Sequence, residues 1–76
     1  MKILVINGPN LNMLGKRPKD VYGVLPLDEI NNKILNSALE LGVSIVFYQS
    51  NSEGDLIDCI HEARNNYQGI IINPGA

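Results

Sequence analysis

The sequence predicts an α/β protein with a parallel sheet, built in the order β-α-β-α-β. Two observations carry this prediction. Short, continuous apolar runs alternate with longer segments whose apolar residues recur at helical spacing, and each apolar run is closed by a polar turn. Strand-helix-strand units of this kind form parallel sheets with right-handed crossovers, and ligands bind beyond the carboxyl ends of such strands. We therefore expect the polar turns to lie together at one edge of the sheet.

The predicted elements follow from local composition. Ile3 to Ile6 is a continuous, branched apolar run, which is typical of a strand buried on both faces. Asp28 to Leu41 places its apolar residues at helical spacing and is followed by Gly42, a common helix stop. The remaining elements are two strands and a second helix, predicted at Val43 to Tyr48, Gly69 to Ile72 and about Glu53 to Asn65.

The second predicted helix carries a start signal and two residues of chemical interest. Ser52, followed three residues later by Asp55, resembles a capping box, in which the serine hydroxyl accepts a backbone N–H of the first turn. Cys59 has no neighbouring base at a recognised motif spacing, so we interpret it as a buried thiol. His61 has no metal-ligand partner at useful spacing, so we interpret it as structural.

The longest connection is the polar loop from about Asn7 to Gly23. Strand-to-helix connections usually run a few residues, and a structureless stretch of roughly twenty in a small domain is commonly a binding loop, a lid or disorder. Its length and its specific polar composition predict that it is the active-site loop. It carries Arg17 and Tyr22, which taken alone would more often be solvated loop residues. Its start, Gly8-Pro9-Asn10, lacks the Gly-Lys-Ser/Thr ending of a phosphate loop, which disfavours a nucleotide-binding domain.

Composition narrows the class of protein. The chain has 76 residues and a formal net charge of −2, which gives no reason to expect nucleic acid or an anionic membrane as a partner. It has no run of about 18 apolar residues, and its single cysteine fits a reducing cytosol, so we expect a cytoplasmic location. Two helices cannot fully cover a three-stranded parallel sheet. We therefore expect residues 1–76 to form part of a larger doubly wound domain.

Four separated motifs occur along the chain. They are Gly8-Pro9-Asn10-Leu11-Asn12-Met13-Leu14-Gly15, then Arg17 with Tyr22-Gly23, then Gln49-Ser50-Asn51-Ser52-Glu53-Gly54, and finally Ile72-Asn73-Pro74-Gly75-Ala76. Together, and in this order, they resemble the type II 3-dehydroquinate dehydratases. The resemblance runs over the whole chain and implies about the first half of the family's flavodoxin-like domain, a three-layer fold with a parallel sheet.

The resemblance implies an activity and a set of site residues. The reaction is the trans-dehydration of 3-dehydroquinate to 3-dehydroshikimate through an enolate, without metal, Schiff base or organic cofactor. Tyr22 matches the tyrosine that abstracts the proton next to the ketone, and Arg17 matches the arginine that favours its ionised form. Asn10 matches the asparagine that holds a water supporting the enolate. Asn73 matches a substrate-binding asparagine that contacts ring hydroxyls.

The pairing of Tyr22 with Arg17 is chemically reasonable. A phenol of pKa ≈ 10 is ionised to about one part in a thousand at pH 7, a deficit of roughly 4 kcal/mol. A cation within about 4–6 Å lowers such a pKa by about 1–3 units and recovers much of that deficit. Asn12 receives a structural interpretation as a turn former. Four further motif residues either shape a turn and cap a helix or, as the resemblance implies, support the active-site rim and subunit contacts: Gln49, Ser50, Asn51 and Glu53.

The resemblance also implies parts that this chain does not contain. In the family the general acid is a histidine beyond the Asn-Pro-Gly-Ala motif, and His61 matches no family position, so the chain alone is predicted to be inactive. The family forms trimers assembled into dodecamers, and its reaction serves aromatic biosynthesis or quinate breakdown. The alternative is a non-catalytic remnant that acts as a binding or assembly module. Pro26 stands where the family commonly has a capping threonine, so the first helix should start without a side-chain cap.

Overall fold

A computed structural model describes residues 1–14 and 25–75. Its strands are β1 (Lys2–Asn7), β2 (Ser44–Gln49) and β3 (Gly69–Asn73). Its α-helices are α1 (Leu27–Leu41) and α2 (Glu53–Ala63). The predicted order β-α-β-α-β is confirmed, and every predicted element is present with its ends shifted by at most two residues.

The three strands form one parallel sheet in the order β2-β1-β3. The chain therefore leaves β1 in one direction to form β2 and returns across β1 to form β3. Two right-handed crossovers that run in opposite directions place their helices on opposite faces of a sheet. The register aligns Asn7 with Gln49 on one side and with Asn73 on the other. Three amide-bearing residues thus form a row at the carboxyl edge of the sheet.

The core lies on the central strand. Leu4, Val5 and Ile6 of β1 are at most 3% exposed, as expected for a strand covered on both faces. Leu4 and Ile6 pack with Ala63 of α2, and burial of each large apolar side chain of this kind contributes about 1.5–3 kcal/mol. Further side chains that pack against this cluster while partly buried are Tyr48, Leu56, Cys59 and Tyr67.

The edge strand β3 is much less covered than β1. Ile70, Ile71 and Ile72 are 38%, 56% and 47% exposed. Along a strand, successive side chains point to opposite faces, so these three isoleucines leave apolar surface uncovered on both faces of the sheet. The prediction that two helices do not fully cover a three-stranded sheet is therefore confirmed.

The two helices begin differently, as their sequences predict. The Oγ of Ser52 accepts the backbone N–H of Asp55 at 3.3 Å, which is the predicted cap of α2. Pro26 precedes α1 and makes no side-chain cap hydrogen bond within the described residues. At the other end of α1, Gly42 has φ 70° and donates its N–H to the carbonyls of Ala38 and Leu39. This left-handed residue is the helix stop that the glycine predicted.

Three predictions need correction. The polar loop is not structureless throughout, because a 3₁₀ helix spans Leu11–Met13, closed by the N–H of Leu14 on the carbonyl of Leu11. The helix α2 ends at Ala63, two residues before the predicted end, and the carbonyl of Ala63 accepts the N–H groups of Asn66 and Tyr67 in the turn that follows. Cys59 is only partly buried, at the margin of the cluster formed by Leu4, Ile6 and Ala63. None of the helices within residues 1–14 and 25–75 has the length and apolar character that a membrane-spanning segment requires.

Candidate active site

The carboxyl edge of the sheet is built from three turns, one after each strand. Backbone hydrogen bonds between the strands continue into these turns. The N–H of Gly8 donates to the carbonyl of Asn73 at 2.8 Å, and the N–H of Ser50 donates to the carbonyl of Asn7 at 3.1 Å. The turns after β2 and β3 are thereby both anchored to the turn after β1. For the residues that the structure describes, the predicted gathering of the polar turns on one rim is confirmed.

The turns after β1 and β3 touch backbone to backbone. A Cβ at Gly8 would lie 2.2 Å from the carbonyl oxygen of Pro74, and a Cβ at Gly75 would lie 2.4 Å from the carbonyl oxygen of Pro9. Gly75 also has φ 68°, a conformation that favours glycine. Each glycine therefore makes room for the other turn, and the Gly-Pro-Asn and Asn-Pro-Gly segments interlock.

Asn10 lies at the exposed tip of the turn after β1. It has φ 69° and is the one non-glycine residue with positive φ in the described part of the chain. Asparagine tolerates this left-handed conformation better than most residues. The backbone N–H of Asn10 donates to Oδ1 of Asn51 at 3.0 Å, and its carbonyl accepts the N–H of Met13 at 3.0 Å. The residue therefore links the β2 turn to the start of the 3₁₀ helix.

Gln49 connects the β2 turn to the β1 turn through its side-chain amide. Nε2 of Gln49 donates to the carbonyl of Gly8 at 3.2 Å and to Oδ1 of Asn51 at 3.1 Å, with Oδ1 of Asn12 at 3.5 Å. The structural interpretation of Asn12 agrees with this contact. Sequence reasoning treated Gln49 and Asn51 as turn-shaping or supporting residues and gave them no partners. No local pattern gives their partners, because the bonds join segments 37 to 41 residues apart.

Asn73 ends β3 at the rim and is exposed. Its Oδ1 accepts the backbone N–H of Gly75 at 3.3 Å, so the side chain shapes the Asn-Pro-Gly turn. Its backbone carbonyl is the acceptor for Gly8. The residue therefore has a structural role, and the predicted contact with substrate stays a prediction. Asn10 and Asn73 belong to the two turns that interlock, so the structure places both predicted site residues at the same rim.

Asn7 is a polar residue at the rim to which sequence reasoning gave no role. It is 6% exposed, and its Nδ2 donates to Oδ1 of Asn31 on α1 at 3.3 Å. An asparagine at the end of a run buried on both faces is the signal that points to such a partner, because a buried amide requires hydrogen bonds. The pair ties the end of β1 to the helix α1.

Arg17 and Tyr22, the predicted activator and base, lie outside the described residues, as does Ala76. Of the predicted active-site loop of about residues 7 to 23, the structure describes residues 7–14. The residues that it does describe contain no group of three or more His, Cys, Asp or Glu side chains that could hold a metal ion. Because Arg17 and Tyr22 lie outside the described residues, their assignment as activator and base stays a prediction.

Cys59 lies on α2, away from the rim. Burial, together with the charge of Glu62, raises the pKa of the Cys59 thiol, which keeps the thiol protonated at neutral pH. This group lies beside Leu4, Tyr48 and Tyr67 in an open cavity of about 180 Å³ on the α2 face. The candidate site is therefore the polar rim.

The fold and the rim define the class of protein: an α/β protein with a parallel sheet and a polar site at the carboxyl ends of its strands. The family model for class II dehydroquinases matches residues 1–76. The chain belongs to the class II dehydroquinase family.

Individual relatives agree with the family assignment. A 3-dehydroquinate dehydratase of Pelotomaculum thermopropionicum is 54% identical over 76 residues, which are 100% of this chain and 53% of the relative. One from Caldanaerobacter subterraneus subsp. tengcongensis is 52% identical over 75 residues, which are 99% of this chain and 51% of the relative.

Solved structures give the same result. The crystal structure of type II dehydroquinase from Butyrivibrio crossotus superposes with a TM-score of 0.92 at 51% identity and covers 100% of this chain and 53% of that one. The type II dehydroquinase from Propionibacterium acnes gives a TM-score of 0.86 at 35% identity, with 97% of this chain and 51% of that one covered. The chain thus spans about half the length of the relatives that it matches, and that half is amino-terminal.

Proposed function

We propose that this chain supplies the amino-terminal half of a type II 3-dehydroquinate dehydratase, the hydro-lyase that converts 3-dehydroquinate to 3-dehydroshikimate. The observation that carries the proposal is the family match over all 76 residues, at more than 50% identity to relatives that bear this name. The rim that joins Asn10 to Asn73 agrees with it.

The reaction assigns one step to each predicted site residue. Tyr22 removes the proton next to the ketone, and Arg17 stabilises the phenolate that does so. Asn10 holds the water that supports the enolate oxygen, where negative charge develops. Asn73 contacts ring hydroxyls. A histidine from the other half of the enzyme protonates the departing hydroxyl group, so this half alone is inactive.

The arrangement of the rim supports joint contact of Asn10 and Asn73 with one small molecule. The turns that carry them interlock at Gly8 and Gly75, so neither turn moves without displacing the backbone of the other. Fixed placement of this kind is what allows binding groups to orient a substrate for reaction.

An apolar cavity of about 310 Å³ adjoins the rim between α2 and β3, with Ile6, Ile60 and Ile72 in its wall. A hydroxylated carboxylate would lose hydrogen bonds to water in such surroundings. We therefore assign the substrate to the polar rim. We assign the apolar cavity and the uncovered face of β3 to packing against the other half of the enzyme. Assembly into trimers and dodecamers, and a role in aromatic biosynthesis or quinate breakdown, belong to the same proposal.

A fusion enzyme tests the proposed function. Residues 1–76 are joined to the carboxyl-terminal half of the relative that is 54% identical, and formation of the conjugated enone product from 3-dehydroquinate is followed by absorbance. We expect turnover by the fusion and none by the chain alone. A folded fusion without turnover would favour the non-catalytic remnant, and rapid turnover by the chain alone would refute the need for a second half.

The base is tested in the same fusion. Tyr22→Phe should lower kcat by about 10²- to 10⁴-fold, the usual contribution of a general base. Tyr67→Phe is the matched control, because Tyr67 packs against the α2 cluster and lies 5.0 Å from Nζ of Lys2, at the opposite end of the sheet from the rim. Comparable activity in the two variants would refute Tyr22 as the base.

The activator is tested by a pH profile. Arg17→Ala removes the cation that lowers the pKa of the Tyr22 phenol, so the rise of kcat/KM with pH should move to higher pH. Arg64→Ala, at the end of α2, removes the same charge away from the rim and should leave the profile unchanged. An unshifted profile in Arg17→Ala would contradict the assigned role.

A further inference from the structure

We propose that Gln49 and Asn51 are positioning residues for catalysis, which act by holding the backbone of Asn10. The proposal rests on the role of Asn10 in the proposed function. Its structural basis is a chain of side-chain hydrogen bonds that starts at the end of β2 and finishes at the N–H of Asn10.

The conformation of Asn10 explains why such support is needed. Its φ of 69° is a left-handed conformation, which asparagine tolerates better than most residues but less readily than glycine. The residue is also exposed at the tip of its turn. A local backbone change at Asn10 would redirect its side chain, and with it the water that Asn10 is proposed to hold. The hydrogen bond from its N–H to Oδ1 of Asn51 favours the observed conformation.

The donors and acceptors of the chain have one consistent direction. The N–H of Asn10 is a donor, so the facing atom of Asn51 is its oxygen, Oδ1. That oxygen accepts a second hydrogen bond, from Gln49, so Gln49 must present Nε2 to it. The carbonyl of Gly8 requires the same donor. This chain of hydrogen bonds thus depends on an amide donor at position 49 and an oxygen acceptor at position 51.

The sheet provides the fixed reference for this chain. Gln49 is the last residue of β2 and stands in register with Asn7 of β1. The N–H of Ser50 donates to the carbonyl of Asn7 at 3.1 Å, which fixes the backbone between Gln49 and Asn51. The Asn10 turn is therefore held at a defined distance from the strand ends, by groups on a different segment of the chain.

Three substitutions in the fusion enzyme distinguish the loss of a hydrogen bond in this chain of hydrogen bonds from the effect of an added charge. Gln49→Glu keeps the shape but replaces the donor with an acceptor, and Asn51→Leu removes the acceptor. Asn51→Asp keeps the acceptor while it adds the same charge at the same turn as Gln49→Glu, so it is the matched control. We expect kcat to fall by about 10- to 100-fold in the first two, since a misplaced group costs rate, and to stay within about threefold in Asn51→Asp. KM should change less than kcat in Gln49→Glu and Asn51→Leu, because the affected step is the chemical one.

An NMR measurement on the 76-residue protein reports the positioning of Asn10 without any turnover. In ¹⁵N-labelled protein, the Asn10 amide proton should shift upfield and exchange faster with solvent in Gln49→Glu and Asn51→Leu, and should stay near its original position in Asn51→Asp. If the unsubstituted fusion has no activity, the proposed function fails while this amide measurement still tests the positioning of Asn10.

Two results would overturn the inference. The first is an Asn10 amide that does not respond to Gln49→Glu and Asn51→Leu. The second is a displaced amide in an active fusion whose kcat is unchanged, or whose loss of kcat equals the loss of folded protein measured by circular dichroism.

Discussion

The turns after β1 and β3 are joined differently from the turn after β2. Gly8 and Gly75 let the first two approach backbone to backbone, where a side chain has no room. The turn after β2 reaches its neighbour through the side chains of Gln49 and Asn51. The contact between the β1 and β3 turns requires that Gly8 and Gly75 have no Cβ. The contact of the β2 turn requires matched hydrogen-bond donors and acceptors. The first should therefore tolerate no enlargement, and the second should tolerate any change that preserves its hydrogen bonds.

The largest effect is expected at Gly8. Gly8→Ala places a Cβ 2.2 Å from a backbone carbonyl oxygen, so the interlocked turns must separate. We expect the free energy of unfolding to fall by about 3 kcal/mol, measured by urea denaturation with circular dichroism. Gly69→Ala is the control, because its Cβ would meet only Cδ1 of Ile3, the end of a flexible side chain. Equal losses in the two variants would contradict the interlock.

Gly75→Ala sharpens the same contrast. Gly75 and Gly42 have φ of 68° and 70°, so alanine costs each about 1 kcal/mol of conformational free energy. Nothing lies within 4 Å of a Cβ at Gly42, whereas one at Gly75 meets the carbonyl oxygen of Pro9. Urea denaturation should therefore show a further loss of about 1 kcal/mol in Gly75→Ala. Identical stabilities would show that the contact with Pro9 relaxes without strain.

The smallest effect is expected at the side-chain cap that follows the β2 turn. Ser52→Ala removes the hydroxyl that accepts the N–H of Asp55, which should lower the free energy of unfolding by about 1 kcal/mol. Ser37→Ala is the control, since Ser37 is exposed within α1, where alanine favours the helix by about 0.5 kcal/mol. Opposite signs in thermal denaturation are expected. A stabilising Ser52→Ala would contradict the cap.

Sequence patterns predicted the fold because each element depends on neighbours in the chain. Helical spacing and Gly42 defined α1, and the serine at position 52 defined the start of α2. Element ends were less predictable where turns compete with helix, as at Ala63 and in the 3₁₀ segment Leu11–Met13. The end of a helix depends on which carbonyl accepts each backbone N–H, and small changes in geometry decide which carbonyl that is.

The arrangement of the rim was predicted in part. The logic of parallel sheets placed the turns that carry Asn10 and Asn73 on one rim, whereas the roles of these two residues toward substrate stay predictions. The hydrogen-bond partners of Gln49, Asn51 and Asn7 escaped prediction, because each partner lies far along the chain. Which side chains meet there depends on strand register, and register is fixed only when the sheet forms.

The sequence by itself determined the strand and helix order, the helix caps and the family, since these depend on local patterning and on motifs read in order. Only the tertiary structure decided how the rim is held together. The alignment of Asn7 with Gln49 and Asn73 brings distant turns within hydrogen-bond range, and the two glycines then allow two of those turns to interlock. Contacts of this kind arise from the packing of separate segments, and no single segment encodes them.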